Sequence, residues 1–455
     1  MSKRDTDAAW QPDWFTPEQV DTVIVAFPDV YGRLLGKRVT RDHFVKHTAH
    51  TGIDTCNYLL IADMNMNTQE GFKLASWEQG YGDFRVQPDL DTLRPVPWYE
   101  KTAAVLGHLF REDGSVVEEA PRRVLARQVE RLAERGLKAY VGSEPEFHLF
   151  DDTYRAAAAK GYRDLLPASD YQIDYHILQP GRDEDVLRRI RNEMTAARIT
   201  VECSKGECGY GQHEVNLLYA DAMETADRHV LYKTGVKAIA DQQGRAITFM
   251  AKWSASHAGS SCHLHMSLWD AEGKRNLFHE AGGRKQSELF GHFLGGLMRY
   301  TRELTYFFAP TVNSYKRYQP GSWAPTRIVW AHDNRTTGYR VVGHGDSMRI
   351  ENRIPGADAN PYLAIAAMLA AGMHGIEEKL DCGEAYRGNA YVDEALPRVP
   401  ATLSAAAELL ADSDLARTAF GADVIGMYVH AARLEAQAFQ AAVTDWERQR
   451  YFEQI

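Results

Sequence analysis

Residues 140–150 read YVGSEPEFHLF. The alternation puts Glu144, Glu146 and His148 on one face of a strand and Pro145, Phe147 and Leu149 on the other. Two carboxylates two residues apart on one face stand roughly 7 Å from each other and repel unless a cation lies between them. Pro145 cannot donate to a ladder, so it predicts an edge strand or a bulge at this point. An alternating polar row is also the ordinary face of a half-solvated sheet, and a single segment does not separate the two readings.

Three further segments repeat the pattern. Residues 201–219, VECSKGECGYGQHEVNLLY, carry Glu202, Glu207 and Glu214 around a glycine-rich turn that would also suit a phosphate loop. Residues 259–269, GSSCHLHMSLW, put His263, His265 and Ser267 on one face, an arrangement for a metal or a phosphate. Residues 349–355, RIENRIP, put Glu351 between Arg349 and Arg353, which would keep that carboxyl ionised. Five glutamates and a histidine from different strands suit hard, oxygen-loving cations such as Mg2+ or Mn2+, whereas zinc would want more His or Cys. Arg317, Arg335, Arg340, Arg349 and Arg353 add cations within about forty residues, a composition that fits phosphoryl transfer as well as surface ion pairing.

The bulk numbers are those of an ordinary globular soluble protein. The chain has 455 residues, 44% hydrophobic and 25% charged, with a formal net charge of −10. That balance, with no basic run, excludes a nucleic-acid binder. Cys56, Cys203, Cys208, Cys262 and Cys382 show no CxxC spacing and read as reduced thiols of a cytoplasmic protein. The start, MSKRDTDAAWQPDW, lacks an apolar core, and the apolar run at 362–376 is too short to span a bilayer, so no membrane role is expected.

The first hundred residues read as strands and turns, ending in the Pro-rich connector QPDLDTLRPVPW at 87–98. Beyond it, residues 120–136, 183–199, 221–244, 360–380 and 414–442 read as helices among the strands. The order predicts an α+β architecture, with one domain over 1–112 and a second over 113–455.

Taken in order, VIVAFPDVYGRLLGKRV, SEPEF, KGECGYGQHEVN, GSSCHLHMS, NSYKRYQPG, DNRTTGYRV, RIENRIPGADANPYLA and DWERQRYF resemble the type I branch of the glutamine synthetase superfamily over nearly the whole chain. The resemblance implies an N-terminal β-grasp domain and a catalytic domain with a curved antiparallel sheet. It implies a dodecamer of two stacked hexameric rings, each site completed by the neighbour's N-terminal domain. It also implies a site for ATP, L-glutamate and two to three Mg2+ or Mn2+ ions. One ion would be held by Glu146, Glu207 and Glu214, and a second by Glu144, His263 and Glu351. ATP would meet Glu202, Tyr219, His265, Ser267, Arg340 and Arg349. Arg335 and Arg340 would face the transferred phosphate. Glutamate would meet Gly259, Arg317, Arg335 and Arg353.

The departures from that pattern are local. Ala258-Gly259 stands where ammonia-using members have Asn-Gly, and PGSWAP puts Trp323 where they have a glutamate that closes over the intermediate. The aspartate that helps hold ammonium has Asp54 as its nearest counterpart, with Asp63 as an alternative, and no adenylylation motif surrounds Tyr391. Retained ATP, metal and glutamate positions with altered ammonium positions imply another nucleophile. The expectation is a γ-glutamyl amide ligase acting on a primary amine, ethanolamine above all. A polyamine such as putrescine, spermidine or spermine, then ammonium, and last a catalytically silent scaffold, are the alternatives.

Overall fold

The structure, a computed structural model, describes residues 10–280, 282 and 285–455. β1 (Thr22–Pro28) and β2 (Leu34–Thr40) form an antiparallel hairpin. The buried carboxylate of Asp29 organises its turn, accepting from the Tyr31 and Arg33 N–H groups at 3.0 and 2.8 Å and from Arg33 Nε at 2.7 Å. β3 (Ile53–Cys56), β4 (Asp83–Pro88), β5 (Arg94–Pro95) and β6 (Thr102–Phe110) complete a six-stranded sheet of order β2-β1-β6-β4-β3, with β5 on β6. The β1–β6 pair is parallel and the others antiparallel, the mixed arrangement expected of a β-grasp. Val23, Val25 and Phe27 alternate into its core.

A nine-stranded sheet is built around β7 (Leu137–Phe150), the strand that contains the opening segment. Its members are β8 (Val201–Gly206), β9 (Gln212–Leu217), β10 (Ala220–Asp221), β11 (Ala246–Thr248), β12 (Cys262–Asp270), β13 (Trp330–His332), β14 (Tyr339–Val342) and β15 (Arg349–Asn352). The order is β13-β14-β15-β12-β7-β9-β8, and β10 and β11 also pair with β7. The expectation of an edge or bulge at Pro145 is corrected: the proline lies inside the central strand. It is tolerated because the β9 ladder ends at Glu146↔Glu214. The Glu146 N–H points the other way, to the Ser261 carbonyl at 2.9 Å, so the Pro145 nitrogen faces no ladder.

Helices Pro121–Ala133 and Ala222–Gln242 pack on β7, helix Pro361–Glu377 lies against both of them, and helix Glu288–Phe308 packs on Pro361–Glu377 from the far side. Pro361–Glu377 is apolar on all sides and buried on nearly all of them, as such a helix must be. The single helix expected over 414–442 is instead two, Asp414–Phe420 and Ala422–Ala441, broken at Gly421, whose φ of 96° is outside helical space. Among the described residues no helix is long and apolar enough to cross a membrane.

Candidate active site

Strand pairing brings the scattered carboxylates together. Glu146 on β7 sits opposite Glu214 on β9, and Glu144 on β7 sits opposite His263 on β12. His265 on β12 and Arg340 on β14 both sit opposite Glu351 on β15. The result is a cavity of about 540 Å³ whose wall includes all six expected metal ligands, Gly259, Arg317, Arg335, Arg340, Arg353 and Trp323.

One group is Glu146, Glu207 and Glu214, with an oxygen of each within 4.8 Å of the others. Burial and the neighbouring Glu207 push the Glu146 carboxyl up to about 8, against the Ser261 donors that favour its charge. Burial, Glu144 and Glu146 push Glu214 up to about 10. The Lys205 ammonium supplies the local counter-charge: it pairs with Glu207 and lies 3.9 Å from Glu214. Three acidic oxygens crowded until two of them favour the proton are the donor chemistry of a hard-cation site, so these residues fit a divalent ion.

The second group differs in charge state. His263 Nδ1 lies 3.5 Å from Glu144 and 3.6 Å from Glu351. Burial and the Arg353 guanidinium lower the His263 pKa, against the pull of Glu144 and Glu351. Burial alone would raise Glu144 and Glu351. His265 and His263 outweigh it at Glu144, and His263, Arg353, His265 and Arg340 outweigh it at Glu351, which falls to about 2. The expectation that Arg349 flanks Glu351 is corrected. The arginines that hold it are Arg340 at 2.9 Å and Arg353 at 2.6 Å, while Arg349 turns to His265 Nδ1 at 3.2 Å. The cause is register: β14 lays Arg340 directly across from Glu351.

The other end of the cavity is cationic. Arg317 is buried, and among the described residues its Nη2 donates only to the main-chain carbonyls of Ile354 and, at 3.4 Å, Arg353. Among the described residues the Nε atoms of both Arg317 and Arg353 are buried without a hydrogen-bond partner. Arg353 pairs with Glu351, but among the described residues Arg317 has no carboxylate at ion-pair distance, and a buried guanidinium without an anion is costly, so this end suits an anionic ligand. Gly259 abuts Arg317: a Cβ there would lie 2.5 Å from Arg317 Cγ. Trp323 hangs at the wall, 57% exposed, in left-handed backbone with φ 63°. Arg335 lines the cavity with no hydrogen bond or salt bridge among the described residues.

Several expected residues lie elsewhere. Glu202, Tyr219, His265, Ser267 and Arg349 do not line this cavity. His265 and Ser267 follow His263 along β12, and His265 Nε2 touches Glu144 at 3.1 Å. Ser267 Oγ accepts from Trp269 Nε1 at 2.9 Å, and Tyr219 packs edge-on against Tyr140. Asp54 is exposed on β3, away from the cavity of its own chain. The alternative, Asp63, is occupied within its own loop, accepting from Asn65, Asn67 and Gln69. Gln212 and Ser261, both in contact with Glu146, escaped the sequence reading because neither is charged, although both lie in segments it singled out.

The profile of a family described as "Glutamine synthetase, catalytic domain" matches residues 118–451. The chain is 52% identical over 436 residues to the gamma-glutamylethanolamide synthetase GlnA4 of Streptomyces coelicolor, covering 96% of this chain and 93% of that one. It is 36% identical over 446 residues to a glutamate–isopropylamine ligase of a Pseudomonas species, covering 97% of both. A solved structure described as apo GmaS without ligand superposes with a TM-score of 0.84 at 30% identity, over 96% of this chain and 98% of that one. The chain belongs to the glutamine synthetase family.

Proposed function

We propose that this protein is an ATP-dependent ligase that joins L-glutamate to a primary amine, ethanolamine above all, by way of γ-glutamyl phosphate. The observation that carries the proposal is one cavity with two carboxylate groups fit for divalent ions, a buried Arg317 guanidinium without an anion among the described residues, and an indole where ammonia-using relatives have a carboxylate. Arg317 and Arg353 bind and orient glutamate through its carboxylates. Arg335 and Arg340 stabilise the negative charge that develops as the γ-carboxylate takes the phosphoryl group. Glu144, Glu146, Glu207, Glu214, His263 and Glu351 would hold two to three Mg2+ or Mn2+ ions. When bound, such ions neutralise the triphosphate and orient the group in transfer. His265, Ser267, Glu202, Tyr219 and Arg349 would carry ATP outward along β12. The amine nitrogen then attacks the acyl phosphate, forming the amide and releasing phosphate. Trp323 lines the amine's place with apolar surface, which favours a short neutral body over a long polycation. In the same reading the chain divides near residue 112, acts in the cytoplasm and assembles as a dodecamer in which Asp54 serves a neighbour's site.

Phosphate release from ATP and glutamate tests the reading, measured with ethanolamine, isopropylamine, putrescine, spermine and ammonium. Ethanolamine is expected to stimulate release well beyond ammonium. Equal or greater stimulation by ammonium would overturn the amide-ligase assignment, and a response led by spermine or putrescine would move it to polyamines.

A further inference from the structure

The helical stretch that joins β2 to β3 carries HFVKH at residues 43–47. It runs through three consecutive segments, Arg41–His43 in α geometry, Phe44–Thr48 in π geometry and Ala49–Thr51 in α geometry again. Phe44, Thr48 and Ala49 are buried and hold its inner side, with the Phe44 ring against Trp10 and Phe15. His43 and His47 are exposed on its outer side. Their ring centres lie 5.0 Å apart, with the ring planes tilted by 42°. Among the described residues neither imidazole is taken up by a hydrogen bond or an ion pair, and the charges beside them, Lys46 and Asp42, pair with each other at 3.7 Å.

We propose that His43 and His47 together bind a divalent transition ion of the Zn2+, Ni2+ or Cu2+ class, at a surface site separate from the cavity. Two histidines four residues apart on one helix face can ligate a single such ion. With metal–nitrogen bonds of about 2.0–2.1 Å and tetrahedral angles, two imidazoles on one ion have ring centres about 5 Å apart. The pair therefore stands at chelating separation already. Imidazole suits these ions, whereas Mg2+ and Mn2+ suit the carboxylates of the cavity, whose wall includes neither histidine. Phe44, Val45 and Lys46 separate the two histidines, so the stretch lacks the glutamate that serves as general base in a hydrolytic zinc helix. The site holds an ion and performs no hydrolysis. An ion bound to both side chains bridges most of the π segment, and because only the folded helix presents the pair, binding stabilises the connection from β2 to β3.

The test is equilibrium dialysis of the full-length protein against Ni2+ with Mg2+ in excess, counting bound nickel per chain in the wild type, His43→Ala and His47→Ala. Each variant is expected to bind one nickel ion per chain fewer than the wild type. In chelator all three are expected to unfold at the same temperature, and Ni2+ is expected to raise that temperature more in the wild type than in either variant. His47→Cys places a thiolate ligand at the same position and is expected to regain the Zn2+ binding that His47→Ala loses. Equal nickel counts in the wild type and both alanine variants overturn the site and leave the ligase reading standing. A loss in only one of the two variants would mean a contact to a single histidine and overturn the shared chelate. No recovery in His47→Cys would assign the loss to altered packing and overturn ligation by residue 47.

Discussion

Glu146 and Glu214 face each other across β7 and β9, and their environments favour the proton over the charge, at about 8 and about 10. Glu144 and Glu351, a few ångströms away, are held ionised by histidines and arginines. The sign follows directly. A raised carboxyl pKa means the proton is bound at neutral pH, so a cation must displace it, and cation affinity is weakest at low pH. Affinity is expected to rise from pH 6 towards pH 10, by up to about tenfold per pH unit for each proton released. Titration of Mn2+ at pH 7 in buffers of different ionisation enthalpy should report more than one proton released per site, and zero release would refute the carboxylate assignment. Left-handed geometry costs a bulky residue about 1–2 kcal/mol, and at Trp323 it sets an indole on the cavity wall and its carbonyl 3.4 Å from Arg353. Trp323→Glu is expected to raise the ammonium-to-ethanolamine ratio of phosphate release severalfold. An unchanged ratio would make the ring a packing element only.

At the scale of elements, strand periodicity was readable because it is local: Glu144 and Glu146, His263 and His265, and the helix Pro121–Ala133 follow from spacing alone. What depends on partners was not readable. Pro145 looked like an edge because the end of the β9 ladder is invisible from β7, and Arg349 was matched to Glu351 because the β14–β15 register that delivers Arg340 is non-local. The domain-wide motif resemblance, rather than any single segment, carried the family. Glycines also hide their reasons in sequence. In helix Glu288–Phe308 a Cβ on Gly296 would lie 2.0 Å from the Ala371 carbonyl and 2.9 Å from Gly375 Cα, both on helix Pro361–Glu377. Neither backbone can yield, so Gly296→Ala is expected to cost about 1–3 kcal/mol or more through overpacking. Gly291 on the same helix has nothing within 4 Å of its Cβ position. Gly291→Ala is expected to stabilise by about 0.5–1 kcal/mol through helix propensity. Thermal unfolding of the two variants side by side checks the contrast; equal effects would refute the close helix crossing.

For the whole molecule, the cavity's precision depends on how the two sheets are held, and Arg122 is where several segments meet. It lies in the first turn of helix Pro121–Ala133, buried, with Nε 3.0 Å and Nη2 2.9 Å from Asp227 and Nη2 2.7 Å from Asp89. Asp89 follows β4 of the six-stranded sheet, and Asp227 belongs to the helix Ala222–Gln242 that packs on β7. Tyr362 Oη donates to the same Asp227 at 2.6 Å, bringing in helix Pro361–Glu377. A nearby pair of bonds, from Asn360 Nδ2 to the carbonyls of Asp29 and Val30 at 3.2 and 3.1 Å, fastens the β1–β2 turn to the start of that helix. Removing Arg122 leaves the Asp227 carboxylate buried with only the Tyr362 hydroxyl among the described residues, so Arg122→Met is expected to cost about 3–5 kcal/mol. Asp227→Asn in the same chain removes the stranded charge and keeps an acceptor for Tyr362. The double variant is therefore expected to recover part of the loss, which separates an uncompensated charge from lost packing. Chemical denaturation of the wild type and both variants decides it: an Arg122→Met protein as stable as the wild type would mean that this cluster does not join the sheets, and a double variant no better than the single one would assign the loss to packing.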